Sequence, residues 1–405
     1  MPGDPLKGRA VLVEDGRDWT LQLTGNLDQR GGDFIPQPVP VRDIQLRERL
    51  PAGVQPITSA YPLFDTFNPI WGSHAQSCLV DSILDGKPYP IRTLIVQSGN
   101  PAVTMTDSSR VRRALEQVEF LVVMDPFMTE TAKFADVVLP ACLCFEKTQL
   151  NRAFMRNNLV ILQNQVLDWL GDSWPDWKIT FELARRLGLE KDFPWQSAEE
   201  AIDYQLEPSG ITVAMLRGSP AGIQAAEAAF QKYLDRGFAT PSGKVEIYSE
   251  RLRRNGHQPV PYSDGWTGDP ISFSGRCEEF PMIGISGSRP NRFTHSQFHH
   301  VPALLAKEPE ALVDIHPLDA RSQNLSNGDW ATLETPKGHV RMKARISDMV
   351  HPGSIRIAWG WGDVNPDANL NNLTDDEKRN PVTGTPSNRS FMCRIQAVRG
   401  AGADG

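Results

Sequence analysis

The chain has 405 residues, 40% hydrophobic and 22% charged, enough apolar content to build cores in roughly two or three domains. A formal net charge of −7 and a pI near 5.7 argue against the basic surface that nucleic acid or an anionic membrane would attract, which leaves small molecules or proteins as expected partners. Five scattered cysteines fit no disulfide framework, and no apolar run approaches the roughly 18 residues of a membrane helix.

The N-terminus, MPGDPLKGRAVLVEDG, lacks the basic-then-apolar layout of a secretory signal, so the expected location is cytoplasmic unless a partner carries the chain elsewhere. The first 35 residues hold a short helical piece that runs into Leu23–Asn26 and the glycine turn at Gly31 and Gly32. Prolines at 36, 38, 40, 51, 56 and 62 then predict an extended excursion.

The stretch from Ile91 to Pro140 reads as a Rossmann-like half-fold. Ile91 to Val96 forms a buried strand that stops at Ser98, Gly99, Asn100 and Pro101, where the chain turns and backbone N–H groups are left over. Asp107 and Ser108 cap a helix with apolar Val111, Leu115 and Val118; Phe120–Met124 is the next strand, ending on Asp125. A helix over Thr129–Phe134 and a third strand over Ala135–Leu139 are predicted next. Ligands of open α/β sheets bind outside the carboxyl ends of strands, so Gly99, Asn100 and Asp125 are expected to line one crevice. A carboxylate accepts from two N–H donors, as a ribose diol or the N1 and N2 edge of guanine would present. Neither G-x-G-x-x-G nor G-x-x-x-x-G-K-[ST] is present, so an ordinary doubly wound domain without nucleotide remains the alternative.

Cys142 and Cys144 have no further cysteine pair or nearby histidine to complete a metal set. Helices are predicted at Trp177–Leu187, started by Asp172 and Ser173 and stopped at Gly188, and at Ala221–Leu234. Beyond Phe280, short strands at Met282–Ile285, Leu312–Ile315, Trp330–Glu334, Val340–Ile346 and Ile355–Trp359 are separated by turn residues, a spacing that predicts a small β-barrel. One or two helical turns are expected over Pro317–Asn324. The organisation expected is an α/β domain at 1–235 with its nucleotide-binding unit at about 88–190, a linker at 236–275, and the barrel at 276–400.

Two polar clusters stand out. Ser286 to His300 contains Ser288, Arg289, Asn291, Arg292, His295, Ser296, His299 and His300, groups suited to a pyrophosphate and a polar ring. A solvated loop, or a metal on His295, His299 and His300, are the alternatives. The second cluster holds Asn365, Asn369, Asn371, Asn372, Thr374, Asn388 and Arg389, with Trp359 and Trp361 able in principle to cover a flat ring. No G-x-S-x-G, H-E-x-x-H or other convincing nucleophile is found.

Taken in order, LTGNLDQRGGD (23–33), LIVQSGNPAV (94–103), FLVVMDPFMTETAKFADVVLPA (120–141), TPSGKVEIYSERL (240–252), the run from Leu312 to Ile346 and NLNNLTDDEKRNPVTGTP (369–386) resemble the dimethyl sulfoxide reductase family of molybdopterin oxidoreductases. Within the family, SGSRPNRFTHSQFHHVP (286–302) and the tail are similar to the thiosulfate or polysulfide reductase and acetylene hydratase-like branches. The resemblance implies molybdopterin guanine dinucleotide holding molybdenum or tungsten, and a double-psi β-barrel at the C-terminal end. It implies cofactor contacts from Gly99, Asn100 and Asp125, with Thr129 a further candidate, from Ser288, Arg289, His295 and Ser296, and from Asn371 and Arg389. In the family the iron–sulfur cysteines and the metal-ligating residue precede the LTGN segment, so no residue here is assigned to the metal and no iron–sulfur cluster is expected in this chain. The resemblance therefore implies an oxidoreductase part that acts on a small-molecule substrate with a partner supplying the N-terminal half or an iron–sulfur subunit; a non-catalytic cofactor-binding or assembly module is the other reading.

Overall fold

A computed structural model describes residues 25–398 except positions 33, 36, 38, 47, 48, 50, 51, 65–75, 152–157, 239, 261–277, 289, 290, 378 and 387. The helical piece expected before Leu23 lies outside these residues. The chain divides into two compact units, one of residues 1–55, 62–74 and 139–262, the other of 56–61, 75–138 and 263–405.

The α/β segment of the second unit follows the predicted order. Helix α1 (Gln76–Leu84) leads to strand β1 (Thr93–Gln97), a short helix α2 (Pro101–Thr104), helix α3 (Ser108–Gln117), strand β2 (Phe120–Asp125) and strand β3 (Val137–Pro140). The sheet order is β1-β2-β3, and β1 runs parallel to β2 with Gln97 opposite Met124. Asp107 caps α3 by accepting from the Arg110 N–H, and the predicted apolar positions Val111, Leu115 and Val118 are buried against Val96, Leu121 and Val123. The helix expected at Thr129–Phe134 is only a 3-10 turn at Ala132–Phe134. Six residues offer fewer than two turns, too little for a helix to repay its nucleation, and Ala135 is already extended toward β3.

In the first unit, the two-residue strands β4 (Gln149–Leu150), β5 (Leu159–Val160) and β6 (Leu162–Gln163) precede helices α4 (Asp176–Arg186), α5 (Ala198–Leu206) and α6 (Val213–Arg217). Helix α4 matches the prediction, but Pro175 occupies its N-cap in place of the proposed Asp172 and Ser173 start; Gly188 ends it at φ 78°. Helix α5 was not foreseen, although Ser197, which accepts from the Glu200 N–H, and Ala198, Ala201, Ile202 and Leu206 give it a cap and a buried face. The helix expected over Ala221–Leu234 is absent. Gly222 sits at φ +90°, strand β7 (Ile223–Gln224) pairs with β5, and only α7 (Tyr233–Arg236) is helical. Tertiary pairing overrides the helical propensity of this alanine-rich run. Helix α8 (Glu250–Arg254) closes the unit.

Six strands close the barrel: β8 (Met282–Ser288), β9 (Leu312–Ile315), β10 (Trp330–Thr335), β11 (Gly338–Ile346), β12 (Ser354–Ala358) and β13 (Ser390–Ala397). They run in the order β10-β11-β9-β12-β8-β13, and β13 closes onto β10. Five strands occupy the predicted stretches to within a few residues. The sixth, β13, was missed although Phe391, Cys393, Ile395 and Ala397 alternate along it. Helix α9 (Pro302–Leu305) precedes β9, and α10 (Pro317–Ser322) is the expected helical insert. The interior is apolar: Val313, Ile315, Leu333, Met342, Ile355 and Ile357 are fully buried, each contributing about 1.5–3 kcal/mol through burial. Among the described residues no helix is long and apolar enough to cross a membrane.

Candidate functional site

Strands β8 and β12 run parallel, with Ala358 opposite Ser288, so both deliver their carboxyl ends to one end of the barrel. Strand β13 runs antiparallel to β8 and starts there, and the Ser286 N–H donates to the Arg389 carbonyl at 3.0 Å. Ser288 ends β8, and Arg289 lies outside the described residues. Arg389 is exposed, and its guanidinium has no carboxylate partner among the described residues. This end of the barrel also carries the loop of His295, Ser296, His299 and His300 and the turn Trp361–Asp363.

That turn is set by the local sequence Gly360-Trp361-Gly362-Asp363. Trp361 is 2% exposed and packs in the barrel core. Gly360 adopts φ +93°, and a Cβ there would lie 1.8 Å from the His295 carbonyl oxygen; a Cβ on Gly362 would meet Val103 at 2.7 Å. Only glycine permits both approaches. The burial of Trp361 excludes it as a cover for a flat ring. Trp359, half-buried, meets the His295 ring edge-on with centroids 4.7 Å apart.

From the sheet side, the Ser98 N–H donates to the Met124 carbonyl at 3.0 Å, so the turn after β1 and the end of β2 lie abreast. Gly99 is half-buried, and Asp125, also half-buried, accepts from the Phe127 N–H at 2.9 Å. Asn100 is 7% exposed and its amide is fully engaged within the protein. Its Oδ1 accepts from the Thr131 N–H (3.2 Å) and hydroxyl (2.8 Å), and its Nδ2 donates to Asp363 (2.7 Å) and to the Ser296 hydroxyl (3.2 Å). Thr129 is buried and its hydroxyl accepts from the Ala132 N–H at the start of the 3-10 turn. Asn100, Thr131, Ser296 and Asp363 are thus gathered by one network beside Gly99, and Asn100 and Thr129 hold the frame with their side chains.

The asparagine cluster behaves likewise. Asn371 is 1% exposed; its Nδ2 donates to the Val103 carbonyl at 2.8 Å and its Oδ1 accepts from the Thr374 hydroxyl at 3.1 Å. Asn369 donates to the Ala102 carbonyl, Asn372 accepts from the Ser108 hydroxyl, Thr374 accepts from the Asp107 N–H, and Asn388 donates to the Thr106 hydroxyl. These side chains bind the α2–α3 corner to the barrel loops. A charged clasp extends the seam: Asp81 accepts from both Arg110 and Arg379, which also reach Asp376, and Ser77 donates to Asp376. Burial works against ionisation of both carboxylates; the two guanidiniums still bring Asp81 below the usual range, whereas in the more deeply buried Asp376 burial wins and its pKa is raised.

The three histidines do not converge. His299 is buried, stacks on Phe293 at 4.0 Å and directs Nδ1 at the Ser296 carbonyl, and burial lowers its pKa. His300 stacks on Phe127 at 5.2 Å. Among the described residues no group of three His, Cys, Asp or Glu side chains is placed to hold a metal ion; Cys142 is buried and Cys144 exposed.

Residues 78–186 match the family model Molybdopterin oxidoreductase, and residues 283–392 match the Molydopterin dinucleotide binding domain. Acetylene hydratase of Syntrophotalea acetylenica is 27% identical over 345 residues, covering 80% of this chain and 47% of that protein. The thiosulfate reductase molybdopterin-containing subunit of Salmonella typhimurium is 27% identical, covering 72% and 40%. Dimethyl sulfoxide/trimethylamine N-oxide reductase of Cereibacter sphaeroides is 29% identical, covering 68% and 36%. The chain spans less than half the length of each of these three relatives. The solved structure of acetylene hydratase from Pelobacter acetylenicus shares the fold, with a TM-score of 0.80 over 89% of this chain and 55% of that one at 24% identity.

Proposed function

We infer, from a chain that belongs to the molybdopterin oxidoreductases, that the barrel end and the β1–β2 crevice form a binding surface for its cofactor. The cofactor of these domains is molybdopterin guanine dinucleotide, with molybdenum or tungsten held by the pterin dithiolene. When bound, it supplies the electron-transfer chemistry of the metal; this chain's residues bind and orient it.

The observation that carries the reading is the convergence at one barrel end of Ser288, Arg389 and the His295–His300 loop, with the Gly99–Asn100 turn bonded to that loop through Ser296. The side chains present fit an anionic, heteroatom-rich group. The exposed Arg389 guanidinium suits a pyrophosphate, and we assign Arg289 the same role from its position after β8. Asp125, at the carboxyl end of β2, is the acceptor suited to the guanine N1 and N2 edge. Backbone groups of Gly99 and Asn100 would hold the dinucleotide, and His295 and Ser296 would contact the pterin. Thr129 and Asn371 hold that surface in shape. We read the two parts as a Rossmann-like half and a double-psi barrel, forming the C-terminal part of an oxidoreductase catalytic subunit that works on a small-molecule substrate with further protein supplying the metal ligand and iron–sulfur cluster.

The test is molybdenum, tungsten and pterin content of the chain purified from a host that makes the cofactor, alongside Arg389→Ala. Metal with pterin in the wild-type chain, and a several-fold loss in the variant at unchanged melting temperature, supports the reading. Pterin without metal identifies a cofactor-binding module; neither group in the wild-type chain overturns it.

A further inference from the structure

We propose that Asp363 is the positioning residue of the cofactor crevice: a buried carboxylate that fixes, from one point, three chain segments that the cofactor would touch. The role rests on the binding surface proposed above and assigns its organiser.

Asp363 projects from the turn that Trp361 anchors in the barrel core, and its side chain is 3% exposed. One oxygen accepts from the Asn100 Nδ2 at 2.7 Å, and the other accepts from the Glu130 N–H at 2.8 Å. The same Nδ2 reaches the Ser296 hydroxyl. The turn after β1 and the loop after β2 therefore meet at this carboxylate, and the barrel loop at 295–300 joins them through the shared Asn100 amide. His300 Nε2 lies 3.7 Å from Oδ2 on the more exposed side.

The geometry leaves Asn100 one orientation. Thr131 donates twice to its Oδ1, so Nδ2 must face Asp363. An amide at 363 can accept through only one atom, so Asp363→Asn sets an N–H donor against either the Glu130 N–H or Asn100 Nδ2. A buried donor without an acceptor is costly enough to move the loop that carries it. The cofactor-facing backbone at Gly99, Asn100 and Thr129 then loses its common reference, while the barrel core is untouched. Nothing in the composition of the segment announces this, because a lone aspartate after a tryptophan and glycine reads as a turn residue.

The role of a positioning pair is separable from bulk stability by exchanging the two groups. In the double variant Asn100→Asp with Asp363→Asn, an aspartate at 100 accepts from both Thr131 donors. The amide now at 363 donates to it and accepts from the Glu130 N–H. The Ser296 hydroxyl rotates to donate. The experiment is pterin content per folded chain, read by fluorescence of the oxidised pterin, for wild type, Asp363→Asn and the exchange variant, with melting temperatures measured in parallel. The expected result is a loss of about tenfold in Asp363→Asn and recovery to within about twofold of wild type in the exchange variant. Undiminished pterin in Asp363→Asn overturns the proposal, as does a folded exchange variant that stays empty. A wild-type chain without pterin removes the binding surface itself, and with it this role; a wild-type chain that holds pterin equally with both variants removes the role alone.

Discussion

The barrel interior and the seam that joins the α2–α3 corner to the barrel loops belong to the same compact unit but are held by different physics. Inside the barrel, Val313, Ile315, Leu333, Ile355 and Ile357 are buried in one apolar cluster, and a hydrophobic side chain of similar volume is tolerated there. Along the seam, Asn100, Asn369, Asn371, Thr374 and Asp363 each answer a particular N–H, C=O or hydroxyl. A core tolerates a change of identity if volume is kept; a polar seam tolerates little, because each lost partner leaves a buried group unpaired.

Truncation in the core has the largest expected effect. Ile355→Ala should lower unfolding free energy by about 2–5 kcal/mol, and Ile355→Val by only about 0.5–1.5 kcal/mol, as read from denaturant midpoints. Gly360→Ala, which drives a Cβ onto the His295 carbonyl at positive φ, should cost on the order of 3 kcal/mol. Asn371 then breaks or sharpens the contrast. Asn371→Ala and the bulkier Asn371→Leu should cost alike, about 1–3 kcal/mol, because the Val103 carbonyl loses its donor in both; a leucine as harmless as Ile355→Val would place the seam in the same class as the core.

The pH dependence separates the two regions more finely. Burial depresses the pKa of His299, so its unfolded form takes up a proton that the folded form refuses. Stability from this residue is therefore complete above its ordinary value of 6.5 and falls as pH drops toward the folded value, by at most about 1.4 kcal/mol per pH unit. His299→Gln should flatten that slope in denaturation measured between about pH 8 and about pH 5; an unchanged slope would move the titration elsewhere. The smallest effect expected is that of Arg389→Ala on stability, within about 0.5 kcal/mol, because its exposed guanidinium holds no carboxylate among the described residues.

The same contrast explains what the amino-acid order disclosed. Short apolar runs at Leu312–Ile315 and Trp330–Glu334, with Asn327-Gly328 and Pro352-Gly353 between strands, announced a barrel because burial and turn chemistry are local properties. The cap at Asp107 was legible for the same reason. Strand β13 carried a clear alternation. The functions of Asn100 and Asn371 were not legible: asparagine offers the same donor and acceptor to a nucleotide or to a distant carbonyl, and only the fold decides which it meets. Asp363 was overlooked because its partners lie more than two hundred residues away.

The clasp between Asp81 and Arg379 spans 298 residues of sequence. At the usual pace of translation, about 5–20 residues per second, the carboxylate is synthesised roughly 15–60 s before the guanidinium that will hold it exists. During that interval the corner around α2 and α3 stands with its carbonyls and hydroxyls open to water and to other nascent chains. Docking of this corner is thus an event of late synthesis, and a ribosome stalled within the last strand would carry a finished sheet with nowhere to attach.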